Sequence, residues 1–230
     1  MGFNNQGMKA MARRLARLRE TGRLGAARLG INIGKNRDTA LDDAHRDYLA
    51  CMDTLYEFAD YLAVNLSSPN TPGLTSLQAT EPLRRLLGAL KERQAVLAAR
   101  HGRHVPFVLK IGPDLDPDGL AAVARELLAF EVEGVIATNT TVSRPVVRRM
   151  PHGGEAGGLS GAPLAELARG TVTRLHEMIE GRIPIIGSGG IVTAHDAHAM
   201  LEAGASLVQV YTGLIYRGPG LVRSIAAITP

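Results

Sequence analysis

Tryptophan is missing from this chain, aromatic residues make up only 4% of it, and cysteine occurs once, at Cys51. A core without large rings has to be aliphatic. A single cysteine excludes an internal disulfide and fits a reducing compartment. Lysine is scarce as well: Lys9, Lys35, Lys91 and Lys110 are the only four, so arginine carries most of the positive charge behind the net +4. No apolar run reaches the ~20 residues of a membrane span, and no signal peptide is visible. The basic balance is open to several readings: a solvated surface, attraction to anionic lipid, or attraction to an anionic ligand. Nucleic acid is not among them, because no basic stripe is interleaved with aromatics. His195 and His198 have helical spacing, but no nearby carboxylate or cysteine completes a metal set, so no metal is expected.

What the chain does have is alternation. Six short apolar runs (29–33, 61–66, 106–111, 134–138, 183–187 and 206–211) are separated by segments with helical spacing. Runs apolar on both faces are what strands of a covered parallel sheet require. Between them, Met8, Met11, Leu15 and Leu18 predict one helix, and Tyr48, Cys51, Met52 and Leu55 a second, which makes Cys51 a small core residue. A third is predicted around Leu83, Leu86, Leu87 and Leu90, with Thr80 as N-cap and Pro82 in its first turn. Asp116-Pro117 opens a fourth, and Pro163, Thr193 and Pro219 stand near the starts of three more. No linker interrupts the pattern, so residues 1–230 read as one α/β domain.

Every run ends in polar or glycine-rich chemistry. An open doubly wound sheet gathers ligand residues at its switch point, whereas a barrel collects them from every strand at one face. The distribution therefore favours a (β/α)8 TIM barrel, of which about six of the eight βα units are visible.

The most crowded end is Asn65-Leu66-Ser67-Ser68-Pro69-Asn70-Thr71-Pro72-Gly73, where amides, hydroxyls and prolines follow a buried strand. Packing asks for none of them. Asn32, Asn65, Asn70 and Asn139 stand at or just past strand ends; each reads as a turn residue or as a ligand amide, and together they suit a planar ring of alternating N–H and C=O groups. Ser68 is either a turn hydroxyl or the candidate for proton chemistry. No Gly-x-Ser-x-Gly elbow surrounds it, so acyl transfer is poorly supported. Lys110 interrupts Phe107-Val108-Leu109-Lys110-Ile111. It reaches water at the strand end, or it meets an anion that offsets its desolvation. Gly187-Ser188-Gly189-Gly190 and Tyr211-Thr212-Gly213 are tight turns or a paired phosphate cradle. Gly157-Gly158-Leu159-Ser160-Gly161 is a flap or a clamp.

In this order the motifs resemble the dihydroorotate dehydrogenases of the quinone-dependent, membrane-associated class. The resemblance runs from Met1-Gly2-Phe3-Asn4-Asn5 through Gly30-Ile31-Asn32-Ile33-Gly34-Lys35-Asn36, the 65–73 loop, Val108-Leu109-Lys110-Ile111 and Ile136-Ala137-Thr138-Asn139-Thr140-Thr141. It continues through the glycine loops to Val210-Tyr211-Thr212-Gly213, and so covers essentially the whole chain. The soluble class of that family has a cysteine where Ser68 stands.

The resemblance implies a TIM barrel that holds FMN through Asn32, Asn65, Lys110, Thr138, Gly161, Gly190, Tyr211 and Thr212. It implies dihydroorotate held by Met1, Gly2, Phe3, Asn65, Asn70, Asn139 and Thr140, with Ser68 as the base, in the step of pyrimidine biosynthesis that makes orotate. Because serine is a poor base, a relay to water, Thr71 or Thr75 is expected. The electron acceptor would be a membrane quinone, and the location peripheral, on the cytoplasmic side of the bacterial inner membrane. In the family a membrane-docking helical pair and two barrel strands precede the point matching residue 1, so the chain is expected to be N-terminally truncated and its membrane association to depend on that segment. Another FMN-dependent barrel oxidoreductase, or an inactive fragment that binds flavin or phosphate, remain alternatives.

Overall fold

A computed structural model describes residues 5–23, 25–71 and 73–228. Six parallel strands form one sheet in the order β1 to β6: β1 Gly30–Ile33, β2 Tyr61–Asn65, β3 Phe107–Ile111, β4 Val135–Ala137, β5 Ile185–Ser188 and β6 Leu207–Gln209. Strictly sequential order means that the chain never reverses direction across the sheet. With every crossover of one hand, all helices then fall on the same face and the sheet curls into the wall of a barrel. A doubly wound sheet needs a switch point, and this one has none. β1 and β6 are its two edges.

The helices are α1 Met8–Glu20, α2 Ala44–Leu55, α3 Thr80–His101, α4 Pro117–Ala129, α5 Ala165–Met178, α6 Ala194–Glu202, α7 Thr212–Arg217 and α8 Gly220–Ala226. Asp116 caps α4 by accepting from the Gly119 N–H at 2.7 Å. Thr193 and Asp196 form a reciprocal capping box on α6; both caps follow from the sequence. Two expectations need correction. The N-cap of α3 is Ala79, with Thr80 already helical and making no side-chain cap bond. The short α7 was not anticipated, because the glycine turn before it hides a six-residue helix.

Strand pleating produces two cores. Leu62, Val64, Phe107, Leu109, Val135 and Ile185 point outward and are fully buried under the helices. Each is worth about 1.5–3 kcal/mol relative to exposure. The opposite face carries Ala63, Val108 and Ile136, with Tyr61 and Ile186 packed against them, as a second and smaller cluster inside the curl. Gly30 makes this possible: a Cβ there would lie 2.0 Å from the Tyr61 ring. Cys51 is partly buried against the outer core, and burial beside Asp47 pushes its thiol up to about 11. The thiol is therefore protonated at neutral pH and serves packing, as expected.

Candidate active site

Beyond the inner apolar cluster, toward the carboxyl ends of the strands, the inward-facing residues turn polar. They line a cleft of about 480 Å³. Asn32, Asn65, Ser68, Asn70, Lys110, Thr138, Asn139, Thr140, Gly161, Gly190, Tyr211 and Thr212 all border it. The structure thus brings together every sequence-predicted site residue that it describes. Met1, Gly2 and Phe3 lie outside the described residues.

One hydrogen-bond network joins the ends of β2, β3 and β4. The Asn139 amide donates to Asn65 Oδ1 and to Ser67 Oγ, both at 3.1 Å, while its Oδ1 accepts from the Thr140 N–H at 2.8 Å. Ser67 Oγ donates to the Lys110 carbonyl at 2.9 Å. From outside the sheet, Tyr48 donates to the Asn65 carbonyl at 2.7 Å, and burial raises the Tyr48 pKa, keeping that donor protonated. Asn65 therefore commits its side-chain oxygen to the protein. Its NH2 group has no hydrogen bond to another described residue and borders the cleft. Asn139 uses both amide hydrogens internally, so here it orients Asn65. The Ser67 hydroxyl, to which the sequence assigns no role, lies at the centre of the network.

Ser68 is 3% exposed. Its Oγ accepts weakly from the Asn70 N–H at 3.4 Å, which leaves its own proton free. Thr71 approaches Ser68 only through its backbone N–H. Neither Thr71 nor Thr75 offers a hydroxyl relay to Ser68 among the described residues, so the relay assigned to them is not formed here and water is the remaining route.

Lys110 faces the same cleft. Desolvation lowers its pKa, and its Nζ donates to Gln209 Oε1 at 3.2 Å. Of the residues lining the cleft, none carries a carboxylate. Around it, the glycine loops come close. Gly189 and Gly190 have φ of +121° and +75°, and a Cβ on Gly190 would lie 2.2 Å from Ala165 Cα. Only glycine fits, which brings bare backbone against whatever occupies the cleft. Thr212 Oγ1 bonds Ser160 Oγ at 2.9 Å, tying the end of β6 to the Gly161 loop. Gly158 in that loop leaves no room for a Cβ beside Thr140 and Pro69, so the loop packs closely against the segments that follow β2 and β4.

Sequence reasoning passed over Gln209, Ser160 and Leu164, which also line the cleft. Gln209 carried the same signal as Lys110, a polar residue inside an apolar run. No group of three or more metal-ligating side chains occurs among the described residues. His198 does pair with a nearby carboxylate, Glu202, at 3.3 Å, but both are exposed. No described helix is long and apolar enough to cross a membrane.

A curled wall of parallel strands with a polar, glycine-lined cleft at its carboxyl ends belongs to the class of (β/α) barrels. Within that class the sequence is specific. The family model for dihydroorotate dehydrogenase matches residues 1–228, and the chain belongs to that family. It is similar to dihydroorotate dehydrogenase (quinone) of Vibrio parahaemolyticus, with 50% identity over 225 residues that cover 98% of this chain and 66% of that protein. Its similarity to dihydroorotate dehydrogenase (quinone) of Thiobacillus denitrificans is 52% over 223 residues, covering 97% and 65%. A solved structure of DHODH from Eimeria tenella in complex with ferulenol superposes with a TM-score of 0.88 at 37% identity, over 98% of this chain and 64% of that one. The chain thus spans just under two thirds of the length of these relatives.

Proposed function

We propose that this chain forms the flavin- and substrate-binding barrel of a quinone-dependent dihydroorotate dehydrogenase, which oxidises dihydroorotate to orotate in pyrimidine biosynthesis. The observation that carries the reading is the cleft itself: an ammonium with no carboxylate among the described residues that line it, in one cleft with the glycine turns that end β5 and β6. That chemistry fits a phosphate-bearing flavin. FMN would be held by Asn32, Asn65, Lys110, Thr138, Gly161, Gly190, Tyr211 and Thr212, with its phosphate against the two late glycine turns. When bound, FMN supplies a hydride acceptor for C6 of the substrate.

The chain's own residues do the rest. Asn65 offers its NH2 to the substrate, joined by Asn70 and Thr140; Asn139, its amide hydrogens already committed, would meet the substrate through Oδ1, and Met1, Gly2 and Phe3 are assigned to the same group by family resemblance. Ser68 accepts the proton from C5 and passes its own hydroxyl proton to water in the cleft. A buried hydroxyl is a weak base, and what it offers is position. The electron acceptor proposed is a lipid-soluble quinone, following the names of the relatives. The location proposed with it is peripheral, at the cytoplasmic face of the bacterial inner membrane, with the family's amino-terminal helical pair as the docking element.

Expression of the 230 residues tests the reading. Yellow flavin absorbance retained by the folded chain is the expected result, and orotate formed from dihydroorotate with a quinone as acceptor would extend it to turnover. A chain that folds and retains no FMN when supplied in excess would overturn the assignment of the cleft.

A further inference from the structure

Three of the four lysines show how differently a buried or half-buried ammonium is treated in this fold. Lys35 Nζ donates to the carbonyls of Asn36, Arg37 and Thr39 and closes the loop after β1. Lys91 Nζ meets the Glu133 carboxylate at 2.9 Å and the Glu131 carbonyl at 2.8 Å. Lys110 has one acceptor among the described residues, and it is a neutral one: Gln209 Oε1, reached from β3 across to β6 over a sequence separation of 99. Asn65 is the register partner of Lys110 on β2 and Ile136 its partner on β4, and Thr138 and Ser188 line the cleft at the ends of β4 and β5; none of these is ionisable. Tyr211 is the only other titratable side chain lining the cleft.

An amide oxygen and a carboxylate oxygen at that position would fix the ammonium equally well in space, but they differ in what they leave behind. A carboxylate cancels the charge. An amide orients it and leaves it whole for a ligand. We propose that Gln209 is the positioning residue of Lys110, holding the ammonium over the cleft with a neutral oxygen so that its full charge meets an anionic ligand. The identity of that ligand as FMN rests on the function proposed above; the role of Gln209 does not.

The test uses the full chain labelled with ¹³C at the lysine ε-carbons. With four lysines, four resonances are expected, and Lys110→Arg identifies the one that matters. In the ligand-free chain the Lys110 midpoint rises by about one pH unit in Gln209→Glu and falls in Gln209→Met, while the other three lysines titrate as before. In FMN titrations, Gln209→Glu binds about tenfold more weakly than the parent and more weakly than Gln209→Met, because it neutralises the cation rather than merely releasing it. A Lys110 midpoint unchanged in both folded variants overturns the proposal. If Gln209→Glu fails to fold, the fall in Gln209→Met decides alone. Failure of every form to bind FMN would overturn the flavin reading, and the Lys110 titration would still decide the role of Gln209.

Discussion

The two ends of this sheet both carry charged and amide side chains, and they treat them in opposite ways. At the amino end, Glu133 accepts from Lys91, Gln94 and His104 and from the Phe107 backbone N–H. Nearby, Arg103 donates to the carbonyls of Tyr56, Glu57 and Ala59, and Asp60 accepts from the Leu29 N–H. Donors there meet acceptors, and charge meets charge. At the carboxyl end, and among the described residues, Lys110 meets no carboxylate, the Asn65 NH2 has no protein partner, and Ser68 donates its proton to none. Polar groups saturated by one another build a fold. Polar groups left with capacity build a site, at a cost in stability of the kind that active sites store.

The sharpest way to break this comparison is Ser68→Ala. Turnover of dihydroorotate should fall about 100-fold or more, with flavin retained and melting unchanged, as read by orotate formation beside flavin absorbance. Parent-like turnover would remove Ser68 from the chemistry. Next in size is Gly190→Ala. Its Cβ would press on the Ala165 backbone at 2.2 Å with φ at +75°, costing about 2–3 kcal/mol in a urea melt and weakening FMN binding with it.

Glu133→Gln probes the other end. It should cost about 2 kcal/mol, because Lys91 loses its counter-charge and one of the amide, imidazole and backbone donors loses its acceptor. FMN affinity should not move, and a change would show that the two ends are not independent.

Smallest in its effect on stability is Lys110→Met. Burial holds the Lys110 pKa below its ordinary 10.5, so the unfolded chain binds that proton more tightly than the folded one. Lys110 therefore makes the ligand-free protein gain stability as pH rises from the lowered value to 10.5, and lose it as pH falls back through that window. Replacing Lys110 with methionine should stabilise the ligand-free chain at neutral pH by about 1 kcal/mol, flatten that part of the pH slope, and abolish FMN retention. Denaturant melts at neutral and alkaline pH check the first two. A destabilised variant would mean that Lys110 is a structural cation like Lys35.

Much of the fold was legible because its signals are local. The strand Tyr61–Asn65 announces itself by a near-continuous apolar run followed by asparagine and serines, and Asp116-Pro117 marks a helix start without help from the rest of the chain. Lys110 was legible for the same reason, as one charge in an apolar run. Gln209, with the same signature, was not, since a neutral amide in a strand raises no electrostatic alarm until its partner is known. Thr80 misled because a good capping residue one position late is indistinguishable from a cap in sequence. Helix α7 stayed hidden because six residues are too few to display a period.

The sequence by itself determined the alternation of strands and helices, the aliphatic core, and the polar carboxyl ends from which the cleft is made. These depend on periods of two and 3.6 residues and on turn chemistry within a few positions. Only the tertiary structure decided that Asn139 would bond Asn65 across a sequence separation of 74, that Ser67 would join three strands, and that Lys110 would point at Gln209. Those pairs are set by strand register and by the curl of the sheet. Both arise from the packing of all six strands against their helices together, and no local stretch of the chain encodes them.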